Sequence, residues 1–174
     1  MNIVNDPPLI INSVWYGADE TVGALVRLRL RGGPVPEFEL PYSGATRLYA
    51  ALGVVKDGTL IGGVVFHNLH SIKCNTVPVC IEASIAFDRP NWATRSTLRQ
   101  LFRYPFIELK CATIVSRIRR SNKRSRDICR RLGFEEAGKI PRAFDGREDI
   151  FVYAMTSDKC PWIKTPQEEC PDNR

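Results

Sequence analysis

RIRRSNKRSRDICRRLGFEEAG, residues 117–138, holds the densest positive charge in the chain and its clearest element boundaries. Ser121 reads as a helix N-cap, because its hydroxyl can accept a bond from an orphaned amide of the first turn. A helix is expected from about Asn122 to Leu132. Gly133 stands where a left-handed residue closes such a helix, and a residue without Cβ does this at little cost. Phe134 onward then reads as extended. Eight of the fifteen residues from Arg117 to Arg131 are Lys or Arg, and only Asp127 is acidic. The segment therefore carries +7 while the whole chain carries +6, so the rest is close to neutral. Such a run either meets a phosphate-bearing partner or forms a solvated helix face.

Working outward, CATIVSRI (111–118) is a short strand that feeds this helix. Before it, Thr94 to about Leu109 reads as a helix. Leu98, Leu101, Phe102 and Leu109 form its apolar side, and Arg95, Arg99 and Arg103 form a stripe at four-residue spacing. Pro105 should end or kink it, because its ring collides with the carbonyl four residues back. VCIEASIAF (79–87) is a strand broken by Asp88-Arg89-Pro90-Asn91. YAALGVVK (49–56) and TLIGGVVFHNL (59–69) flank Asp57-Gly58, a strong hairpin signal. LIINSVWYG (9–17) reads as one strand ending at Gly17. ADETVGALVRLRLRGG (18–33) reads as a helix with Val22, Leu25 and Val26 on one face. The turn-rich GGPVPEFELPYSG (32–44) is a candidate binding loop. DIFVYAMT (149–156) alternates and reads as the last strand. Strands alternating with helices in this order imply an α/β layer fold with a mixed sheet.

At 174 residues the chain is long enough for one domain with a real core. The expected division is one domain over residues 1–156 and a polar tail over 157–174 with Trp162-Ile163 as an apolar anchor. The longest apolar stretches, such as LIGGVVF (60–66), fall far short of the ~20 residues that span a bilayer. The N-terminus has no basic segment followed by an apolar one, so no signal peptide is expected and the location is cytoplasmic by default. The six cysteines form no CxxC pair and there are only two histidines, so no metal site is expected.

Asn122, Ser125, Leu132-Gly133-Phe134 and Glu136-Ala137-Gly138 together resemble an anchor common in the GNAT superfamily, the acetyl-CoA-dependent N-acetyltransferases. ALGVVKDGTLIGGVVF is similar to that family's central hairpin, and the likeness covers roughly residues 9–156. LRQLFRYPF (98–106), DIFVYAM and KCPWI resemble a branch common in phages and prophages, which would put the protein in a host cytoplasm. The resemblance implies an α/β GNAT fold. Its mixed, mostly antiparallel sheet would have about six to seven strands flanked by helices, splayed between the fourth and fifth. The pantetheine arm of acetyl-CoA would enter that gap against the backbone of CIEASIAF, including Ile85 and Phe87. Its pyrophosphate would rest on helix N-terminal amides. The family's phosphate loop, Arg/Gln-x-x-Gly-x-Gly/Ala, falls on Arg89 to Thr94. Arg89 matches, but Trp92 and Thr94 replace both glycines, and Arg95, Ser96 and Thr97 could supply compensating contacts. Asn122 and Ser125 would face the pantetheine arm, with basic side chains such as Arg126 reaching phosphates.

Acyl transfer to an amine requires that a proton leave the amine. Glu82 is the candidate base on the resemblance; the alternative is a structural carboxylate paired with an arginine. Ser84 shares a strand face with Glu82 and could hold a water or the substrate. Cys129 stands where many family members place a tyrosine acid, so Tyr153 is a candidate for that role. Tyr42, His67 and Asp149 are candidate acceptor contacts. The expected function is acetyl transfer to a primary amine on a modified DNA base, a host protein or a small molecule. Mom-type phage DNA modifiers share the fold class. The alternative is a GNAT-fold module that has lost catalysis and binds nucleic acid or protein through its arginines. The chain is expected to be a monomer or homodimer with no membrane partner.

Overall fold

Asn12 and Ser13 both take positive φ, 48° and 70°, and fold the first apolar run back on itself. The stretch expected as one strand is therefore two, β1 (Leu9–Ile11) and β2 (Val14–Tyr16), paired antiparallel. The computed structural model describes residues 9–30, 50–71 and 78–163, with backbone alone at 70, 71, 78 and 79. The proposed binding loop 32–44 lies outside the described residues.

Helix α1 (Asp19–Arg29) follows with acidic residues in its first turn and arginines in its last, which suits the macrodipole. β3 (Ala50–Lys56) and β4 (Thr59–Ser71) are joined through Asp57 and Gly58 at φ 50° and 71°, the left-handed pair a two-residue hairpin needs. β5 (Pro78–Phe87) ends at Asp88, and a single 3₁₀ turn over Pro90–Trp92 leads to α2 (Arg95–Arg103). Pro105 ends the α-helix, as expected: α2 stops at Arg103. It sits in a wide π-type turn, Tyr104–Glu108, in which the Leu109 amide reaches back to the Tyr104 carbonyl. β6 (Thr113–Arg119), α3 (Lys123–Leu132), β7 (Glu135–Phe144) and β8 (Glu148–Thr156) complete the fold. The N-cap of α3 is Asn122 rather than Ser121. Asn122 Oδ1 accepts from the Ser125 amide at 3.1 Å, whereas Ser121 is held by Glu148.

Among the described residues the sheet has eight strands in the order β1-β2-β3-β4-β5-β6-β8-β7, and every neighbouring pair is antiparallel except β5 with β6. The count exceeds the expected six to seven, and the parallel pair is fifth and sixth because the first run is two strands. One face is covered by α2 and α3. Leu98, Leu101, Phe102 and Leu132 there meet Val64, Phe66, Ile81, Ile114 and Tyr153. The other carries α1, whose Val22 and Val26 pack on Ala51 and Val65. Each fully buried aliphatic side chain contributes roughly 1.5–3 kcal/mol as an upper estimate. After Thr156 the chain stays on the domain as far as Ile163. Cys160 is fully buried, and Trp162 Nε1 donates to the Leu132 carbonyl at 2.7 Å. Among the described residues no helix is long and apolar enough to cross a membrane.

A bulge in β4 ties the hairpin to the next loop. Val54 pairs with Gly62 and Val55 with Leu60, so Ile61 is the extra residue. Its carbonyl accepts instead from the Asp88 amide at 2.9 Å, which fixes where β5 ends. Gly62 has φ +147°, and a Cβ there would lie 2.3 Å from the Ala86 carbonyl oxygen. Gly62→Ala is expected to cost roughly 2–4 kcal/mol in denaturant unfolding. Gly58→Ala, with nothing within 4 Å but φ +71°, should cost only about 1 kcal/mol.

Candidate active site in the β5–β6 wedge

The parallel ladder between β5 and β6 is three residues long. Cys80, Ile81 and Glu82 pair with Thr113, Ile114 and Val115, and pairing then stops although β5 runs on to Phe87 and β6 to Arg119. Beyond this apex the strands diverge, and one direct tie is the Ser116 hydroxyl, which donates to the Ala83 carbonyl at 3.1 Å. The gap opens into a cleft of about 980 Å³. Its walls are Ala83 to Phe87 on one side and Ser116 to Arg119 on the other, with α3 behind. The β5 edge in this gap presents backbone groups that no neighbouring strand pairs, so an elongated ligand bearing amides could add to it as a strand does.

The mouth of the cleft is cationic. Arg89, Arg124 and Arg131 line it, and none of the three enters an ion pair among the described residues. Arg29 also lines it but is committed to Asp88, whose carboxyl it holds below the usual aspartate value. The loop from Asp88 to Thr94 needs no glycine: among the described residues neither Trp92 nor Thr94 has positive φ. Trp92 is buried and stacks on Phe87 with centroids 3.9 Å apart, so it closes the outer end of the core. Thr94 caps α2 by accepting from the Thr97 amide at 3.2 Å. The amides of Arg95 and Ser96 in the first turn remain available to an anion.

At the apex, on the α1 face of the sheet, lies a polar cluster. His67 stands directly opposite Glu82 in the β4–β5 register. Glu82 Oε1 accepts from Arg117 Nε and Oε2 meets Arg117 Nη2, both at 2.8 Å; Asn68 Nδ2 donates to Oε2 at 3.0 Å. The Arg117 partnership raises the guanidinium's own affinity for its proton. His67 is only 4% exposed, and its Nε2 lies 3.0 Å from Ser84 Oγ. Burial pushes the His67 imidazole below its ordinary pKa, while Glu82 and Asn68 act in the opposite direction and Arg117 adds to burial. Ser84 lines the cleft; His67 stands behind it.

The residues expected from sequence divide accordingly. Ser84, Ile85, Phe87, Arg89, Trp92, Asn122 and Ser125 all line the cleft. Thr94, Arg95 and Ser96 belong to the cap and first turn of α2 at its edge. Arg126 does not face the gap; its guanidinium lies 4.8 Å from the centre of the Phe151 ring. Tyr153 lies on the opposite face from Glu82, fully buried beneath α3. Its hydroxyl donates to Glu136 at 3.2 Å, and burial raises its pKa. Asp149 accepts from the Arg142 amide and meets Lys139, which ties β8 to β7. Tyr42 falls outside the described residues. Cys129 lines the cleft, but burial pushes its thiol up to about 11. Such a thiol is a poorer proton donor than an ordinary one and serves here as packing.

Sequence reasoning missed Arg117, Ser116 and Arg29. A serine among Ile114 and Ile118 on a core-facing register was a readable signal for Ser116. The Arg29–Asp88 and Arg117–Glu82 pairs span 59 and 35 residues, and no local pattern encodes them.

No protein-family model and no curated protein matches this sequence. Solved structures do match its fold. RimJ from Mycobacterium smegmatis, in complex with CoA-disulfide, aligns at TM-score 0.58 and 16% identity over 90% of this chain and 90% of its own. A GNAT-family acetyltransferase from Bacillus anthracis gives 0.59 at 15% identity over 87% of this chain and 99% of that one. A chimera of the spermidine N-acetyltransferase SpeG from Vibrio cholerae gives 0.59 at 18% identity over 80% and 92%. The chain has the GNAT fold.

Two outcomes follow from this geometry. Asn122→Ala should lose about 1 kcal/mol of stability in denaturant unfolding, while Asn122→Asp, which keeps the cap, should not. Because His67 holds its proton less tightly folded than unfolded, the unfolded chain takes up the extra proton below 6.5, its ordinary value. Stability should therefore rise with pH between the depressed native pKa and 6.5 and be flat above. His67→Gln should remove that part of the slope in melts run across this window.

Proposed function

We propose that the protein is an acyl-CoA-dependent N-acyltransferase that moves an acetyl group from acetyl-CoA to a primary amine. The observation that carries this reading is the early end of the β5–β6 ladder, which leaves a strand edge facing a cleft with a cationic mouth. The residues fit the donor. The backbone of Ser84 to Phe87 would pair with the pantetheine amides, and Asn122 and Ser125 at the start of α3 would bound the arm. The first-turn amides of α2, with Arg89, Arg124 and Arg131, would hold the phosphates. When bound, acetyl-CoA supplies an acetyl group activated as a thioester. The apex cluster of His67, Glu82 and Ser84 lies where that group would meet an amine on the α1 face. No described side chain in the cleft is suited to protonating the departing sulfur, so solvent entering through the open mouth serves that step. A DNA base, a host protein or a small amine would each satisfy the chemistry, and a phage origin with a cytoplasmic setting is consistent with the sequence.

One observation favours a second reading, a nucleic-acid-binding module. Trp92 occupies the phosphate loop, and Arg95 and Arg99 on α2 enter no ion pair among the described residues.

A thermal melt separates the two. A ligand at a hundredfold excess over its Kd stabilises the native state by about 2.7 kcal/mol, which for a chain of this size is a Tm rise of roughly 5–10 °C. Acetyl-CoA should give that rise. The double variant Arg124→Ala, Arg131→Ala should melt like wild type alone and lose most of the rise. No shift with acetyl-CoA, together with a salt-sensitive shift on a DNA duplex, would replace the enzyme reading with the binding one.

A further inference from the structure

We infer that the amine's proton is taken by Ser84 and His67 acting as a relay, and that Glu82 stabilises the charge His67 takes up rather than acting as the base. This deepens the acyltransferase reading and rests on it.

Glu82 has both carboxylate oxygens occupied: Arg117 holds one oxygen through Nε and the other through Nη2, and Asn68 donates to the latter as well. A proton arriving at this carboxylate must displace a charge-assisted bond from a guanidinium, one of the stronger contacts available to it. Glu82 also does not line the cleft; it is the last paired residue of β5, set back at the apex.

Ser84 is different in each respect. It is two residues further along β5, past the end of the ladder, and it lines the cleft. By strand alternation it shares the face of Glu82. Its hydroxyl is 3.0 Å from His67 Nε2, a distance at which Ser84 donates when that nitrogen carries the lone pair. His67 is buried on β4 behind it, and burial favours the neutral imidazole that a base requires. Among the described residues, Glu82 from β5 and Arg117 from β6 are charged groups that bear on His67. They oppose one another and are joined by their own ion pair, so the pair leaves His67 a base without forcing it to be charged beforehand. Asn68, on His67's own strand, adds a polar contact that favours the protonated ring.

As the amine nitrogen bonds to the acetyl carbon, the carbon–sulfur bond breaks and its electron pair leaves on sulfur. Ser84 Oγ takes the proton from nitrogen while its own proton passes to His67 Nε2. The imidazolium so formed stands opposite the Glu82 carboxylate and later returns its proton to solvent. The departing sulfur takes a solvent proton. The relay consumes no co-reactant beyond the amine and the thioester.

The test combines a titration with kinetics, on the full chain. With His70 replaced by Gln, the single remaining imidazole can be followed by ¹⁵N NMR in the free protein. It should titrate below 6.5, shift further down in Glu82→Gln as the favourable negative charge is lost, and change its Nε2 resonance in Ser84→Ala. In acetyl transfer to butylamine, followed by thiol release, His67→Gln should lose roughly 10²–10⁴-fold in kcat with KM for acetyl-CoA unchanged. Glu82→Gln should lose far less and should move the pH–rate shoulder with the NMR value. A titration at or above 6.5, an Nε2 resonance blind to Ser84→Ala, or Glu82→Gln as inactive as His67→Gln each overturns the relay. Acetylated Ser84 found by mass spectrometry does so too, since it makes the serine a nucleophile. If butylamine is not turned over, the titration alone decides. If acetyl-CoA fails to stabilise the chain in the melt, the acyltransferase reading falls while the His67–Ser84 geometry is still tested by the titration.

Discussion

The structure depends on a ladder that stops after three pairs. β5 and β6 are the one parallel neighbour pair among the described residues, and they part after Glu82 and Val115 while each continues for several residues. Two strands that separate within a sheet expose backbone groups that must be satisfied by something. Part of the demand is met by Ser116, which donates across the gap to Ala83. The rest faces the open cleft. The surrounding structure holds the strands apart: α3 and Cys129 fill one side of the gap, while the Trp92–Phe87 stack closes the outer end of the core.

Two devices in the chain position this opening. The Ile61 bulge turns a carbonyl toward the Asp88 amide and so fixes the point at which β5 becomes loop. Arg29 at the end of α1 then pins Asp88 from the other side. The Asp88–Thr94 loop is thus held by contacts that are distant in sequence, with Trp92 and Thr94 where the GNAT pattern it resembles has glycines. Neither replacement residue needs a left-handed backbone, and Trp92 contributes burial that a glycine could not.

Much of the fold was legible. Asp57-Gly58 marked the hairpin, Gly133 marked the end of α3, and alternation along 79–87 placed Glu82 and Ser84 on one face of β5. The errors were local ones. Asn12-Ser13 has no glycine, so its hairpin did not declare itself, and two polar residues in a row, Ser121 and Asn122, competed for one cap position. The site was less legible. Strand residues such as Ser84 and His67 could be placed on a face, but their mutual distance depends on the β4–β5 register, which sequence does not state. Tyr153 was offered as a stand-in acid because Cys129 replaces the family tyrosine, and Arg126 as a basic side chain near Asn122, yet each faces another partner, Glu136 and Phe151 respectively. Half of the basic run that first suggested a large phosphate partner is engaged within the fold: Arg117, Arg119, Arg126 and Arg130 each have a carboxylate or an aromatic ring, while Arg124 and Arg131 line the cleft.

The central claim is that the β5–β6 wedge is where acetyl-CoA binds. Hydrogen–deuterium exchange with and without acetyl-CoA reads it at the backbone itself. The account predicts new protection in the peptides that span Ser84 to Phe87 and the first turn of α2, with β7, at the far edge of the sheet, unchanged. Saturating acetyl-CoA that leaves β5 exchange as it was, or that protects a different element alone, would contradict it.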